Sequence, residues 1–582
     1  MRNLFGYFKN YKLQSVLGPF FKLLEALFEL FVPIVVGLIV DRGLGALENG
    51  GYPNANGGYI VKMCLLLSGF GLLGLAFSVT AQYFAAKAAT GVAADMRRDL
   101  FRKIQSLSYK DIDKLGAATM LTRMTSDVDK FQSGVNLALR LFLRSPFIVF
   151  GAMITAYFVD PASIGIFAIA IAALAVVVFA VMFICMPLYK RAQEKLDKVL
   201  LSTRENLTGA RVVRAFCLEE TEKGTFDERN ERLNKSRKFV GVLAAITNPL
   251  TYVLVNFAII ALIYTGALRV ELGNLSQGSV LALYNLMSQI LIELIKLANL
   301  IVTVTKAAAC GGRISTVLKM QPSLAVDEDG EKQYGETDEI VRFENVTVRY
   351  NDEADAALAD LSLSVKRGET VGVIGGTGSG KTTLVNVIPH FYDVQEGSVY
   401  VGGRNVREKG LQTYLRERIG VVPQKAVLFK GTVRENLLWG KADATDEALW
   451  KALEIARADE FLREKQGLDT PVEQGGKNFS GGQKQRLTVA RALVREPDVL
   501  ILDDSSSALD YATDAELRKG IRQLQTTTFI VSQRASSVRD ADKIVVLDDG
   551  KAVGIGTHET LMQTCEVYRE IYFSQYDEGV QG

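Results

Sequence analysis

The chain has 582 residues, enough for several domains, with 48% apolar residues, a formal net charge of +2 and five cysteines. So even a charge gives no footprint for nucleic acid, and none is expected as a partner. The odd, dispersed cysteines (Cys64, Cys185, Cys217, Cys310, Cys565) argue against a disulfide frame or metal site and read as free thiols in reducing surroundings.

The opening MRNLFGYFKNYKLQ is amphipathic and has no cleavage site, so it reads as a helix at a membrane surface and not as a signal peptide. No peptidase or other extra domain is read before the first apolar stretch. Six such stretches follow, at about 15–40, 59–86, 136–159, 162–188, 240–268 and 279–305, most of them near the roughly 20 residues that cross a bilayer. Any one alone could be a buried core helix; six in succession predict membrane spans. Nine lysines and arginines lie between 87 and 130, and the 190–238 connection is also basic, whereas 43–58 has none. The asymmetry predicts that both long connections and both chain ends are cytoplasmic, with short external loops. Helical spacing in both connections predicts that the membrane helices continue into the cytoplasm. Their charge is at least a solvated face, and we expect these rods to touch the second domain.

Charges also fall inside the spans. Lys22, Glu25 and Glu29 share one face of the first, and Glu293 and Lys296 share one face of the last. Two readings stay open: a polar cavity wall, or structural ion pairs between helices.

Near residue 319 the composition turns polar and acidic, with Pro322 and Gly330, which reads as a linker. The division predicted is an all-α six-helix membrane domain over 1–318, a linker over 319–339, and an α/β nucleotide domain over 340–582.

In the last of these, VGVIGGTGSGKTTL carries a phosphate-binding loop, Gly375, Gly376, Thr377, Gly378, Ser379, Gly380, Lys381 and Thr382, followed by Thr383. An apolar strand leads in and a helical stretch leads out, as the motif requires. Its backbone N–H groups wrap phosphate, Lys381 reaches the β- and γ-phosphates, and Thr382 ligates Mg²⁺. A second apolar run, VLILD, delivers a metal-binding carboxylate, Asp503. FSGGQKQR places adjacent glycines, Gly481 and Gly482, between Ser480 and Gln483 ahead of a helix.

In this order, these motifs make the chain resemble the ATP-binding cassette (ABC) transporters over essentially its whole length, with the membrane half like the type I exporters. The resemblance implies ATP and Mg²⁺ as cofactors, held between two cassettes. Each site then pairs one subunit's phosphate loop with the other's Ser480–Gln483 equivalent. It implies that Tyr350 stacks on adenine, that Gln424 senses the metal (a third metal contact beside Thr382 and Asp503), and that SALD (507–510) lies where cassettes meet. Short helices near Tyr109–Leu115 and Phe216–Lys223 would transmit cassette motion.

Two positions depart from the family. The residue after Asp503 should be a glutamate that acts as catalytic base; here it is Asp504, withdrawn by roughly 1.5 Å, and a misplacement of about 1 Å can cost on the order of a hundredfold. The switch histidine is replaced by Gln533, which can hydrogen-bond a phosphate but cannot carry a proton. Neither remaining histidine, His390 or His558, is placed to substitute. A smaller departure is Phe479, where the family usually has leucine. Altered cleavage residues beside intact binding residues resemble the degenerate subunit of bacterial heterodimeric exporters. A homodimer with two impaired sites is the alternative. Expected partners are a second half-transporter, membrane lipid and a small amphiphilic cargo, in the cell membrane. A lipid flippase and a nonhydrolytic ATP-sensing regulator or channel are the competing functions.

Overall fold

A computed structural model describes residues 4–44, 56–324, 337–350 and 355–576. Part of the 43–58 loop and residues 325–336 of the 319–339 segment lie outside the described residues. The chain divides into two units, Met1–Ile104 with Ala118–Met320, and Gln105–Ala117 with Gln321–Gly582.

Among the described residues, the first unit holds six helices long and apolar enough to cross a membrane, Leu4–Gly43, Gly57–Gln105, Ala117–Val159, Pro161–Thr208, Glu219–Glu271 and Gln277–Lys319. At 1.5 Å per residue, helices of 40 to 53 residues reach about 60–80 Å, twice the roughly 30 Å of a bilayer core. The surplus is the helical rods. One core, around Ala26, Leu30, Ile148, Phe167, Leu174, Leu262, Leu286 and Ile290, ties five of the spans. Another packs Leu4 of the opening 3₁₀ segment against Met96, Leu100, Val128 and Ile314. Small residues let backbones touch: a Cβ on Gly278 would lie 2.0 Å from the Gly37 carbonyl oxygen. Asp41, in a π-helical turn, accepts from the Gly278 N–H at 2.7 Å and so caps the last span.

The charges in the spans are paired, in part between helices and in part along one helix. Arg144, a residue the sequence reading did not single out, donates to Glu29 and to Glu293, each at 2.6 Å. Ser145 and Lys296 also donate to Glu293, at 2.8 Å, and Lys22 pairs with Glu25 at 2.5 Å. Arg144 and Glu293 are buried, while Glu29 and Lys296 keep 40% and 41% of their side chains open. A buried guanidinium with two carboxylates is held only because the pairing offsets its desolvation.

One expectation needs correction. No helix spans Phe216–Lys223. The short helix is Ala210–Ala215, and Phe216–Leu218 is a turn in which Cys217 takes φ +53°. The next helix begins at Glu219, with Glu219, Glu220 and Glu222 complementing its N-terminal dipole. The other expected segment is present as the helix Tyr109–Leu115, closed by a capping box between Ser108 and Asp111.

Among the described residues, the second unit has two large sheets and one two-stranded ribbon, Gly431–Thr432 with Pro471–Val472. A four-stranded antiparallel sheet carries Glu339–Val348 between Leu358–Lys366 and Glu396–Val401. A six-stranded sheet runs Lys551–Gly556, Lys543–Asp548, Thr370–Gly375, Thr527–Val531, Val499–Asp503, Ile419–Val422, parallel apart from its first pair. Val499–Asp503 and Thr527–Val531 are buried at every residue, which is why neither shows a polar–apolar alternation.

Candidate functional site

In a parallel sheet, the loops leaving the carboxyl ends of neighbouring strands open onto one crevice. Here Asp503 pairs with Val531, and Val531 with Val373. The register therefore brings four segments together: the loop after Gly375, Asp503 with Asp504, Gln533 two residues past Val531, and Gln424 two past Val422. They line a cleft of about 410 Å³ with Tyr350, Thr377–Thr383, Ala357 and Val531. Ala357 and Val531 carry no chemical signal and could not have been read from sequence.

The loop's geometry depends on glycine. Gly380 has φ +96°, and a Cβ there would sit 2.2 Å from the Ala357 carbonyl oxygen. The Lys381 ammonium donates back to the carbonyls of Gly375 (2.9 Å) and Gly376 (2.5 Å). Burial lowers its pKa, opposed by the charges of Asp504 and Asp503. The Ser379 hydroxyl is buried without a partner, an unmet polar group that a phosphate oxygen would satisfy. Thr382 donates to Asp503 at 3.0 Å. This hydroxyl–carboxylate pair offers the oxygen donors that Mg²⁺ takes when phosphates and waters supply the rest. Burial raises the Asp503 pKa against the Thr382 bond, and the Asp504 charge adds to the rise. The residues present thus fit a magnesium–nucleoside triphosphate.

Next to Asp503, Asp504 takes φ +48°, a conformation aspartate tolerates better than most residues. Its carboxylate accepts from the Gln424 amide at 3.4 Å. The backbone of the Gln533 loop is held from outside the cleft. The Gln575 side chain donates to the Gln533 carbonyl and accepts from the Ala535 N–H, each at 2.8 Å, and Arg534 donates to the Leu509 carbonyl at 3.0 Å. Sequence reasoning named neither Gln575 nor Arg534. His390 is buried against Asp393 and Gln412, and His558 sits on Tyr568; neither lines the cleft.

Ser480, Gly481, Gly482 and Gln483 are not in this cleft. Ser480 and Gln483 close a capping box at the start of the helix Gly481–Leu493, and a Cβ on Gly482 would meet the Ala508 carbonyl oxygen at 2.9 Å. The motif is therefore a capped helix N-terminus laid on SALD, with N–H groups free to face an anion.

Comparison with known proteins gives the same division. Residues 15–294 match the family model described as the ABC transporter transmembrane region, and 358–507 match that described as ABC transporter. An uncharacterized ABC transporter ATP-binding protein of Mycobacterium tuberculosis is 34% identical over 559 residues, covering 95% of this chain and 94% of the relative. An ATP-dependent lipid A-core flippase of Syntrophus aciditrophicus is 30% identical over 505 residues, 84% of this chain and 82% of the relative. The structure of a bacterial Atm1-family ABC exporter with ATP bound superposes with a TM-score of 0.80 at 20% identity, over 98% of both chains, a likeness of fold. Six helices long and apolar enough to cross a membrane among the described residues, one ATP-binding cassette, and these relatives along nearly the whole chain make it a member of the ABC transporter family, a multi-pass half-transporter that runs on ATP.

Proposed function

We propose that this chain is the degenerate-site subunit of a heterodimeric exporter of amphiphilic compounds in the cell membrane, its two ends cytoplasmic. Its membrane domain spans 1–318, its linker 319–339 and its cassette 340–582. The observation that carries the reading is the contrast within one cleft. Tyr350, Lys381, Thr382, Gln424 and Asp503 are all of the type that binds ATP and Mg²⁺, whereas Asp504 and Gln533 replace the two groups that act on the γ-phosphate. ATP held here would keep the two cassettes closed while hydrolysis at the partner's phosphate loop, completed by Ser480–Gln483, resets the cycle. The apolar window of the second span has no buried residue within one chain, which supports cover by lipid or a second half-transporter.

The test is ATPase activity of the purified chain alone and with the half-transporter encoded beside it. Turnover that appears only with the neighbour is expected. Robust turnover alone would mean that Asp504 serves as a competent base in a homodimer, and the reading would fall. A second reading, lipid flipping, is favoured by relatives described as lipid A-core flippases. Reorientation of a labelled lipid in vesicles, dependent on ATP, would select it over drug export. A nonhydrolytic sensor would give neither flux.

A further inference from the structure

The helix Tyr109–Leu115 lies in the connection between the second and third spans, yet it packs within the cassette unit. Its anchor there is an aromatic pair, Phe391 and Tyr392, in the turn that follows the phosphate-loop helix. The Tyr109 ring stacks on Phe391 with centroids 4.5 Å apart. The Tyr392 hydroxyl donates to the Asp113 carboxylate at 2.6 Å, a short charge-assisted bond. Burial and this carboxylate both raise the Tyr392 pKa, so the phenol stays protonated and keeps donating. Asp111 fixes the same helix from the other side. It accepts from the Ser323 N–H at 2.9 Å and from the Ser323 hydroxyl.

Tyr392 has a second neighbour. The Tyr350 ring meets it edge-to-face, centroids 5.1 Å apart and planes at 84°. The Tyr350 hydroxyl bonds Thr383 of the phosphate-loop helix at 3.0 Å, and its ring lines the cleft. The edge-to-face geometry is directional: turning the Tyr350 ring to lie flat on a base changes what Tyr392 meets. One side chain therefore touches both the ring offered to the nucleotide base and the helix that leads to the membrane spans.

From this contact chain, we propose that Tyr392 is a positioning residue that makes the Tyr109–Leu115 helix responsive to the nucleotide's base, and not to its phosphates alone. The proposal rests on the reading of Tyr350 as the base-stacking residue. A phosphate chain without a base would fill the glycine loop and leave the helix's exchange behaviour unaltered. A purine nucleotide would hold Tyr350, and through it Tyr392 and Asp113.

The experiment is hydrogen exchange on the full chain in lipid nanodiscs, with magnesium and saturating ATP or inorganic tripolyphosphate. Peptides covering 375–383 report occupancy of the loop, and peptides covering 105–117 report the helix. ATP is expected to slow exchange severalfold in both, and tripolyphosphate only in the first. Tyr392→Phe keeps both rings and removes only the hydroxyl; it should cut the ATP effect on 105–117 by more than half with the loop still protected. Asp113→Ala should do the same, and the double variant no more. Equal protection of 105–117 by tripolyphosphate, or an unchanged ATP effect in Tyr392→Phe, would overturn the proposal. If Tyr350→Ala leaves the preference for ATP over tripolyphosphate intact, the base does not sit on Tyr350, and the relay falls together with that assignment.

Discussion

The two walls of the ATP cleft are built differently. The wall we propose holds the nucleotide, the holding wall, is backbone and short side chains at the ends of buried strands: the glycine loop, Thr382 and Asp503, fixed by the sheet register. The wall we propose acts on the γ-phosphate, the reacting wall, is two side chains, Asp504 and Gln533, on segments held by longer-range bonds from Gln424 and Gln575. Holding phosphate depends on geometry that survives side-chain drift. Cutting it depends on reach and on a proton carrier, and one methylene or one imidazole decides it. A subunit can thus lose hydrolysis and keep binding without refolding anything.

The largest break should come from the motif outside this cleft. Gly481→Asp sets a carboxylate where a partner-bound triphosphate would face the capped helix. The nearest atom to a new Cβ is that of Ala508, at an ordinary 3.7 Å, so the fold should tolerate it. ATPase of the two-chain complex should fall to background. Unchanged turnover would mean the sites are not shared. Next is the holding wall itself. Lys381→Ala removes a charged hydrogen-bond donor, worth about 1.5–3 kcal/mol, or roughly 10- to 150-fold in ATP affinity at this site. Equilibrium binding of a fluorescent ATP analogue would measure it. An affinity within twofold of the parent would show that the glycine backbone alone carries the phosphate.

The reacting wall can be sharpened by repair. Asp504→Glu alone should raise hydrolysis at this site by less than about tenfold, because Gln533 still lacks proton chemistry. Asp504→Glu with Gln533→His should exceed the single change by about tenfold or more, read with the partner's own site disabled. A single variant at full rate would assign the whole impairment to the missing methylene.

Much of the cleft's glycine-loop side was legible in the sequence because it is local. A glycine loop between an apolar strand and a helix, and a buried strand ending in Asp503, each carry their own signal. The six spans were legible for the same reason, since bilayer thickness sets their length. What escaped was partnership across the fold. Arg144 reads as one more basic residue until Glu29 and Glu293 meet it, 115 and 149 residues away in the chain. Tyr392 carries no signal of its own until Asp113, 279 residues earlier, accepts its hydrogen bond. The displaced short helix was missed for a local reason: the Gly209 and Cys217 breaks outweigh helical spacing that looked continuous.

The smallest effect is one of pH, and it tests whether the two walls are electrically joined. Burial raises the Asp503 pKa from the ordinary aspartate value despite the Thr382 bond, and Asp504 raises it further. Mg²⁺ held by Asp503, as proposed, would take the ionised carboxylate, so proton and Mg²⁺ would compete. Affinity for magnesium–ATP should therefore weaken as pH falls through the raised value, starting at a higher pH than an unperturbed aspartate near about 3.9 would allow. For folding the sign is opposite. The folded chain binds this proton more tightly than the unfolded one, so stability declines as pH rises from the ordinary value through the raised one. Asp504→Asn removes the neighbouring charge and leaves burial in place. It should move the loss of magnesium–ATP affinity to lower pH without abolishing the dependence. Coincident midpoints for parent and variant would mean that the reacting wall carries no charge the metal site can feel, and the walls would then be neighbours in space only.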